Sequence, residues 1–255
     1  MYQKNKISVI VQARTGSTRL PNKIFKTIKN KIILDHVISR INKSKYVDEI
    51  IVATTDKLSD NVIEEHCLNN NIKYHRGDEN DLLLRYYETA TKFNCQYMIR
   101  CTSDCPLIDS KVIDRVIEYY FGNNFEYVQN ALFTNGYPSG FDCAIYHFDL
   151  LKKYYEFETD IDKREHATGS IVYHKSVFNI GYYSDLHVDY SRYHLSVDTL
   201  DDFQLVEKII NNVVDDFTFD DVINYLKTID YWIKEYKTDV FMKINDANII
   251  YNNGT

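Results

Sequence analysis

Ile7-Ser8-Val9-Ile10-Val11 is an almost unbroken apolar run of strand length, the pattern of a strand buried on both faces. Further on, the apolar positions of Ile32-Ile33-Leu34-Asp35-His36-Val37-Ile38 take helical spacing. The same alternation then recurs. Asp48 to Thr55 predicts a second strand, and Ser59-Asp60 is placed to cap a helix through Val62, Ile63 and Leu68 that stops at Asn69-Asn70-Asn71. Ile72 to His75 predicts a short third strand. Asp81 to Phe93 predicts a helix with Leu82, Leu83, Tyr86, Tyr87 and Ala90 on one side. Tyr97 to Cys101 predicts a fourth strand, Ser110 caps a helix through Val112, Ile113, Val116, Ile117 and Tyr120, and Tyr127-Val128-Gln129 offers a fifth strand. Repeated strand–helix units of this kind imply an α/β fold, with a mostly parallel sheet and helices on both faces.

The pattern changes near residue 131. Tyr137-Pro138-Ser139-Gly140 is a turn signal, and Phe141 to Tyr146 alternates as a strand. Phe148 to Phe157 is helical in pattern, and Arg164-Glu165-His166-Ala167-Thr168 opens a second apolar helix containing Ile171, Val172 and Tyr173. Tyr193 to Val197 predicts a strand, followed by a helix capped at Asp198-Thr199 and by helices near 218–228 and 230–236. The expectation is one domain over residues 1–238, with a subregion of different character at about 131–195 and a loose tail over 239–255.

Between the first strand and the first helix lies Arg14-Thr15-Gly16-Ser17-Thr18-Arg19-Leu20-Pro21-Asn22-Lys23. Open α/β sheets bind ligands where loops leave the C-terminal ends of their strands. Gly16 would permit close backbone approach, Ser17 and Thr18 add hydroxyl donors, and Pro21 stiffens the exit. Arg14, Arg19 and Lys23 make the loop cationic and suit it to wrap a triphosphate. Neither a P-loop Gly-Lys-Ser/Thr nor a G-x-G-x-x-G fingerprint is present. An ordinary basic turn is the alternative account.

Composition sharpens that reading. The 255 residues are 44% apolar with net charge −7, so a general nucleic-acid surface is not expected. A basic loop on an acidic chain points to a small anionic ligand held locally. Apolar runs fall short of the ~20 residues a membrane helix needs, and no signal-peptide core is apparent. Five cysteines at 67, 95, 101, 105 and 143 are odd in number and without framework spacing, as expected of reduced thiols in the cytoplasm. Asp104 and Asp198 each close a predicted strand, so both should stand at the sheet edge beside the loop. Two carboxylates facing a triphosphate loop would suit Mg²⁺. Taken singly, Asp104 is equally a turn residue before Pro106, and Asp198 a helix cap.

These residues also carry a family resemblance. Gln12-Ala13-Arg14-x-Gly16-Ser17-Thr18-Arg19-Leu20-Pro21-x-Lys23 resembles the signature of the 3-deoxy-manno-octulosonate cytidylyltransferases, and more closely that of the spore-coat polysaccharide (SpsF-type) cytidylyltransferases. The resemblance continues through Ile51 to Thr55, Arg76-Gly77, Arg85-Tyr86-Tyr87, Arg100-x-Thr102-Ser103-Asp104-Cys105-Pro106-Leu107-Ile108-Asp109, Tyr137-Pro138-x-Gly140-x-Asp142, Arg164-Glu165-His166 and Val197-Asp198-Thr199-x-x-Asp202-Phe203. It implies a GT-A-like nucleotidyltransferase fold and transfer of CMP from CTP to a sugar or sugar-acid acceptor for surface polysaccharide or glycan assembly. It implies nucleotide contacts from Gln12, Ala13, Arg14, Gly16, Ser17, Arg19, Lys23, Arg85, Thr102 and Ser103, with Arg14 and Lys23 stabilising the transition state. It also implies Mg²⁺ on Asp104 and Asp198, acceptor contacts from Tyr137, Asp142, Arg164, Glu165 and His166, and a homodimer. Ser139 stands where relatives often carry a basic residue. Arg85 could pair with the ligand or with Asp81, four residues earlier.

Three other readings share this fold class: a nucleotidyltransferase using another base on a sugar 1-phosphate, a retaining glycosyltransferase, and a silent nucleotide-binding module. A glycosyltransferase of this kind usually holds its metal through an Asp-x-Asp motif, and Asp104-Cys105-Pro106 is not one.

Overall fold

A computed structural model describes residues 5–131, 136–191 and 193–229. Its centre is a seven-stranded sheet. β1 (Ile7–Gln12) pairs in parallel with β4 (Glu49–Thr55) on one side and β6 (Tyr97–Thr102) on the other, and β5 (Lys73–Gly77) extends β4 in parallel. Beyond β6 comes β8 (Ala144–His147), antiparallel to both β6 and β7 (Tyr127–Gln129), and β9 (Ile180–Tyr182) pairs in parallel with β7. The order is β5-β4-β1-β6-β8-β7-β9. One reversed strand within a parallel sheet makes this a mostly parallel α/β fold, as the sequence leads one to expect.

Alternation along β1 sorts the two faces. Ile7, Val9 and Val11 pack with α1 (Ile33–Ile41), α2 (Asn61–Asn69) and α4 (Ser110–Gly122) through Val37, Ile41, Ile63, Cys67, Val116 and Ile117. Ile10 faces the other way with Met98, toward α3 (Leu82–Lys92) and α5 (Phe148–Phe157) through Leu83, Tyr86, Leu151 and Tyr154. A third core joins α7 (Leu200–Asn212) and α8 (Phe219–Thr228) to Tyr137, Phe141, Leu195 and Val197. Thr199 and Asp202 form a reciprocal capping box at the start of α7.

Several expected elements change form. Tyr193 to Val197 joins no sheet among the described residues, and a bridge pairs His194 with Ser139. This segment instead threads beside the 137–140 turn, where Leu195 donates to Ser139 at 2.8 Å. Gly140 makes that passage possible: its φ is +106°, and a Cβ there would stand 2.6 Å from the Leu195 carbonyl oxygen. The helix expected from Arg164 breaks into α6 (Ile161–Arg164) and a 3₁₀ run over Ala167–His174, with Ala167 at φ 49° between them. Two short strands, β2 (Thr27–Ile28) and β3 (Lys31–Ile32), form a hairpin that hydrophobic patterning missed. Its turn residues Lys29 and Asn30 both take positive φ. The helix expected at 230–236 and the tail at 239–255 lie outside the described residues.

Asp60 also departs from expectation. It occupies the position before α2, yet its side chain makes no cap. It turns inward, fully buried, and accepts from the Thr15 backbone N–H at 2.8 Å, from the Thr15 hydroxyl and from the Thr55 hydroxyl. The carboxylate therefore pins the start of the basic loop to the end of β4. Replacing it leaves those donors buried and unpaired. Asp60→Ala should lower unfolding free energy by about 2–3 kcal/mol, with a smaller loss for Asp60→Asn, as read from urea denaturation midpoints.

Candidate active site

The 14–23 loop leaves β1, folds on itself through Ser17 N–H to Thr15 O (2.8 Å) and Asn22 N–H to Thr15 O (3.2 Å), and ends in a left-handed Asn22 at φ 55°. That geometry turns Lys23 back across the sheet edge. Its ammonium donates to Asp104 Oδ2 at 2.6 Å, to Asp198 Oδ1 at 2.9 Å and to the Val197 carbonyl at 2.8 Å. Arg19 Nη2 reaches the same Asp198 oxygen at 2.9 Å, and His194 Nε2 stands 3.3 Å from the other one. Asp104 and Asp198 thus come together as the sequence argument required, though for a different reason. Asp104 follows strand β6, whereas Asp198 arrives on an extended segment tied back by Val197 N–H to Asp104 O at 2.8 Å.

The charges in this cluster support one another. Burial opposes the ionisation of Asp198, but His194, Lys23 and Arg19 outweigh it and hold the carboxyl well below the usual range. Burial also disfavours the Lys23 ammonium, and the two carboxylates more than compensate, raising it above the ordinary lysine value.

Beside this cluster opens a cleft of about 250 Å³. Of the residues singled out from sequence, Gln12, Ala13, Arg14, Ser17, Arg19, Lys23, Arg85, Thr102, Ser103, Asp104, Glu165 and Asp198 line it. Thr18, Glu79 and Leu82 complete the wall. Glu79 and Leu82 escaped the sequence reading because a lone acid and a helix-start leucine carry no motif; only folding turns them toward the loop. Glu79 forms an ion pair with Lys57 across the cleft mouth. Gln12 is oriented from behind, its Oε1 accepting from the buried Tyr86 hydroxyl at 3.3 Å.

Several expected site residues take other roles. Arg85 is buried rather than paired on the surface; its Nη1 donates to the Asp78 carbonyl at 2.7 Å, and burial draws its pKa down. Asp81 is not its partner, because Arg164 holds Asp81 through Nε (2.9 Å) and Nη2 (2.7 Å) while its Nη1 donates to Glu158 O at 2.7 Å. Arg164 therefore staples α6 to α3 and has no free fork for an acceptor. Tyr137 is a core residue: its ring packs edge-on against Phe219, and its hydroxyl donates to Asp185 at 2.5 Å and accepts from Arg115 at 3.0 Å. Asp142 accepts the Gly140 N–H at 2.9 Å and braces that turn. His166 is exposed ahead of the 3₁₀ run, outside the cleft wall. Gly16 likewise stays off the wall; a Cβ there would meet nothing closer than Glu79 at 3.7 Å, so neither crowding nor backbone angle demands glycine.

Residues 8–243 match the profile of a family described as cytidylyltransferase. The chain belongs to the cytidylyltransferase family. An uncharacterized protein of Methanocaldococcus jannaschii is 36% identical over 201 residues, covering 78% of this chain and 81% of that protein. The spore coat polysaccharide biosynthesis protein SpsF of Bacillus subtilis is 28% identical over 213 residues, 80% of this chain and 86% of that one. The solved structure of a cytidylyltransferase from Leptospira borgpetersenii superposes with a TM-score of 0.83 at 30% identity, covering 91% of this chain and 98% of the other. In this cytidylyltransferase the basic loop and the paired carboxylates meet through one lysine.

That lysine carries a pH signature. Asp198, with its folded pKa depressed, contributes stability above its unfolded value that is lost as pH falls through the acid range. Lys23, with its folded pKa raised, contributes at neutral pH and loses that contribution only as pH rises through the alkaline range. Lys23→Met should therefore cost about 2 kcal/mol at neutral pH, less than for a fully enclosed pair. The gap to the unmodified protein should narrow below about pH 4, where the unfolded chain takes up protons on its carboxyls while Asp198 in the folded protein resists them. Urea unfolding at pH 7 and near pH 3 reads both effects.

Proposed function

We propose that the protein transfers CMP from CTP to a sugar or sugar-acid acceptor, with release of pyrophosphate and with Mg²⁺ held by Asp104 and Asp198. The observation that carries this reading is the Lys23 ammonium lodged between those two carboxylates at the mouth of the cleft. An ammonium already occupying a cation position shows that hard oxygen donors converge there, the chemistry a divalent ion requires. Charge balance points the same way. Arg14, Arg19, Lys23 and Arg85 face Glu79, Asp104, Glu165 and Asp198 around one cleft. Such a site suits an anion that arrives with its own cation, as a nucleoside triphosphate does.

When bound, the divalent ion would supply Lewis acidity and orient the phosphate oxygens. This chain's side chains do the rest. Arg14 and Arg19, exposed on the loop, neutralise the β- and γ-phosphates. Lys23 leaves its carboxylates for the α-phosphate and counters the charge that builds as the acceptor oxygen attacks. The new bond joins that oxygen to the α-phosphorus, and the bond to the bridging oxygen breaks opposite it, so pyrophosphate departs in line. Gln12, Ala13, Thr102 and Ser103 hold the nucleoside end against the sheet edge. Positioning of this kind, rather than covalent chemistry, lowers the barrier. A cytoplasmic setting fits the five free, buried cysteines. A homodimer belongs to the same proposal.

Asp104→Asn should reduce pyrophosphate release at least about 100-fold, the scale for losing one electrostatic stabiliser, while far-UV circular dichroism stays unchanged. Activity near that of the unmodified protein at ordinary Mg²⁺ would remove Asp104 from the metal site. CTP with Mg²⁺ should raise the melting temperature more than UTP, GTP or ATP does. A larger shift with another nucleotide would move the base assignment, and no shift with any would favour the silent binding module.

A further inference from the structure

Arg100 opens the Arg100-x-Thr102-Ser103-Asp104 stretch, yet nothing described so far uses it. It pairs with Ile10 across β1 and β6, as Thr102 pairs with Gln12 two residues along. All four side chains therefore leave the sheet on the α3–α5 face. Thr102 and Gln12 reach the cleft wall, and Arg100 lies one step behind them. Around its guanidinium stand the phenols of Tyr86, Tyr127 and Tyr146, with Asp142 as the nearby carboxylate. Asp142 lies outside ion-pairing distance and directs an oxygen to the Gly140 N–H instead.

Arg100 Nε is buried without a hydrogen-bond partner, and the guanidinium forms no ion pair among the described residues. A guanidinium keeps its charge at any pH the protein meets, so half-burying it without a partner is costly. The hydroxyls of Tyr146 and Thr168 are also buried and lack a well-formed hydrogen bond, with Thr168 lying against the phenols of both Tyr127 and Tyr146. Gly169 adds a second sign. A Cβ there would sit 3.9 Å from Arg100 Cζ and Nη1, and no positive φ requires glycine. Any side chain there would rest against the guanidinium, and glycine keeps that face clear, four residues from Glu165 in the cleft wall. Arginine's planar fork matches a carboxylate or a phosphate.

We propose that Arg100, assisted by the hydroxyls of Tyr146 and Thr168, is the anion-binding subsite for the acceptor, and that the acceptor carries a carboxylate or phosphate group. This assignment rests on the transfer reaction proposed above. It gives the acceptor a recognition element that Arg164, engaged with Asp81, does not provide.

The test uses the whole protein saturated with CTP and Mg²⁺, and follows the Arg100 Nε–Hε signal by ¹⁵N NMR, assigned by its loss in Arg100→Gln. The probes are pyruvate for the carboxylate arm, inorganic phosphate for the phosphate arm and glycerol as the neutral control. One of the two anions should move the signal, and which one names the acceptor's charged group; glycerol should not move it. Arg100→Gln should weaken binding of that anion, followed calorimetrically, by roughly 10- to 100-fold, with the CTP-induced rise in melting temperature retained. Gly169→Leu, which fills the space and keeps the charge, should weaken it similarly. It decides the matter with the wild-type spectra if Arg100→Gln fails to fold. A signal that ignores both anions, or anion binding unchanged in a folded Arg100→Gln or Gly169→Leu, overturns the assignment. Loss of the CTP effect in the unmodified protein would instead overturn the transfer reaction, and the anion titration would still report on Arg100.

Discussion

Everything at the sheet edge depends on one ammonium. Lys23 ties three stretches that are remote in sequence: the loop after β1, the turn after β6 and the extended segment ending in Asp198. None of these has regular hydrogen bonding to hold it there. The two carboxylates would repel one another without a cation between them, and the lysine removes that repulsion while adding three hydrogen bonds. The site is thereby organised before ligand arrives, at the cost of a competition. The group that holds the carboxylates together is also the group a triphosphate would draw away.

The hydrophobic layers explain why this edge can be so polar. Ile7, Val9 and Val11 on one face and Ile10 on the other are fully enclosed by helices, so β1 is anchored along its length. Its C-terminal end then projects Gln12 and Ala13 into the cleft with little freedom. Asp60 performs the same service for the loop backbone, bonding a buried amide and two hydroxyls that would otherwise lack partners. The antiparallel β8 widens the sheet beyond β6 and brings Tyr146 beside Arg100. On the proposed reading, a nucleotide wall and an acceptor wall share one strand, β6.

Much of this was legible in the chain. The apolar runs and helical spacings locate β1, β4, β6, α3, α4 and α7, because burial on a sheet or a helix face imposes its period on sequence. The loop from Arg14 to Lys23 is recognisable by the density of cations and turn formers. Less legible were elements stabilised by a single contact. The 193–197 segment reads as a strand because its residues are extended and partly apolar, but pairing is a property of neighbours, and Gly140 leaves room for only a bridge. Arg164 and Tyr137 read as site residues because the family resemblance carries them. The structure uses the first as a staple and the second as core packing.

The sequence by itself determined the order of strands and helices, the cationic loop and the two carboxylates, since local periodicity and residue chemistry encode each of these. Tertiary structure alone decided which charges meet. It gave Lys23 to Asp104 and Asp198, gave Asp81 to Arg164, turned Asp60 inward, and left Arg100 without a partner beneath Gly169. The physical reason is range. Hydrophobic period and capping act over a few residues along the chain, whereas an ion pair acts over a few ångströms in space. Here those ångströms separate residues 81 and 175 positions apart, and only the folded sheet edge brings them together.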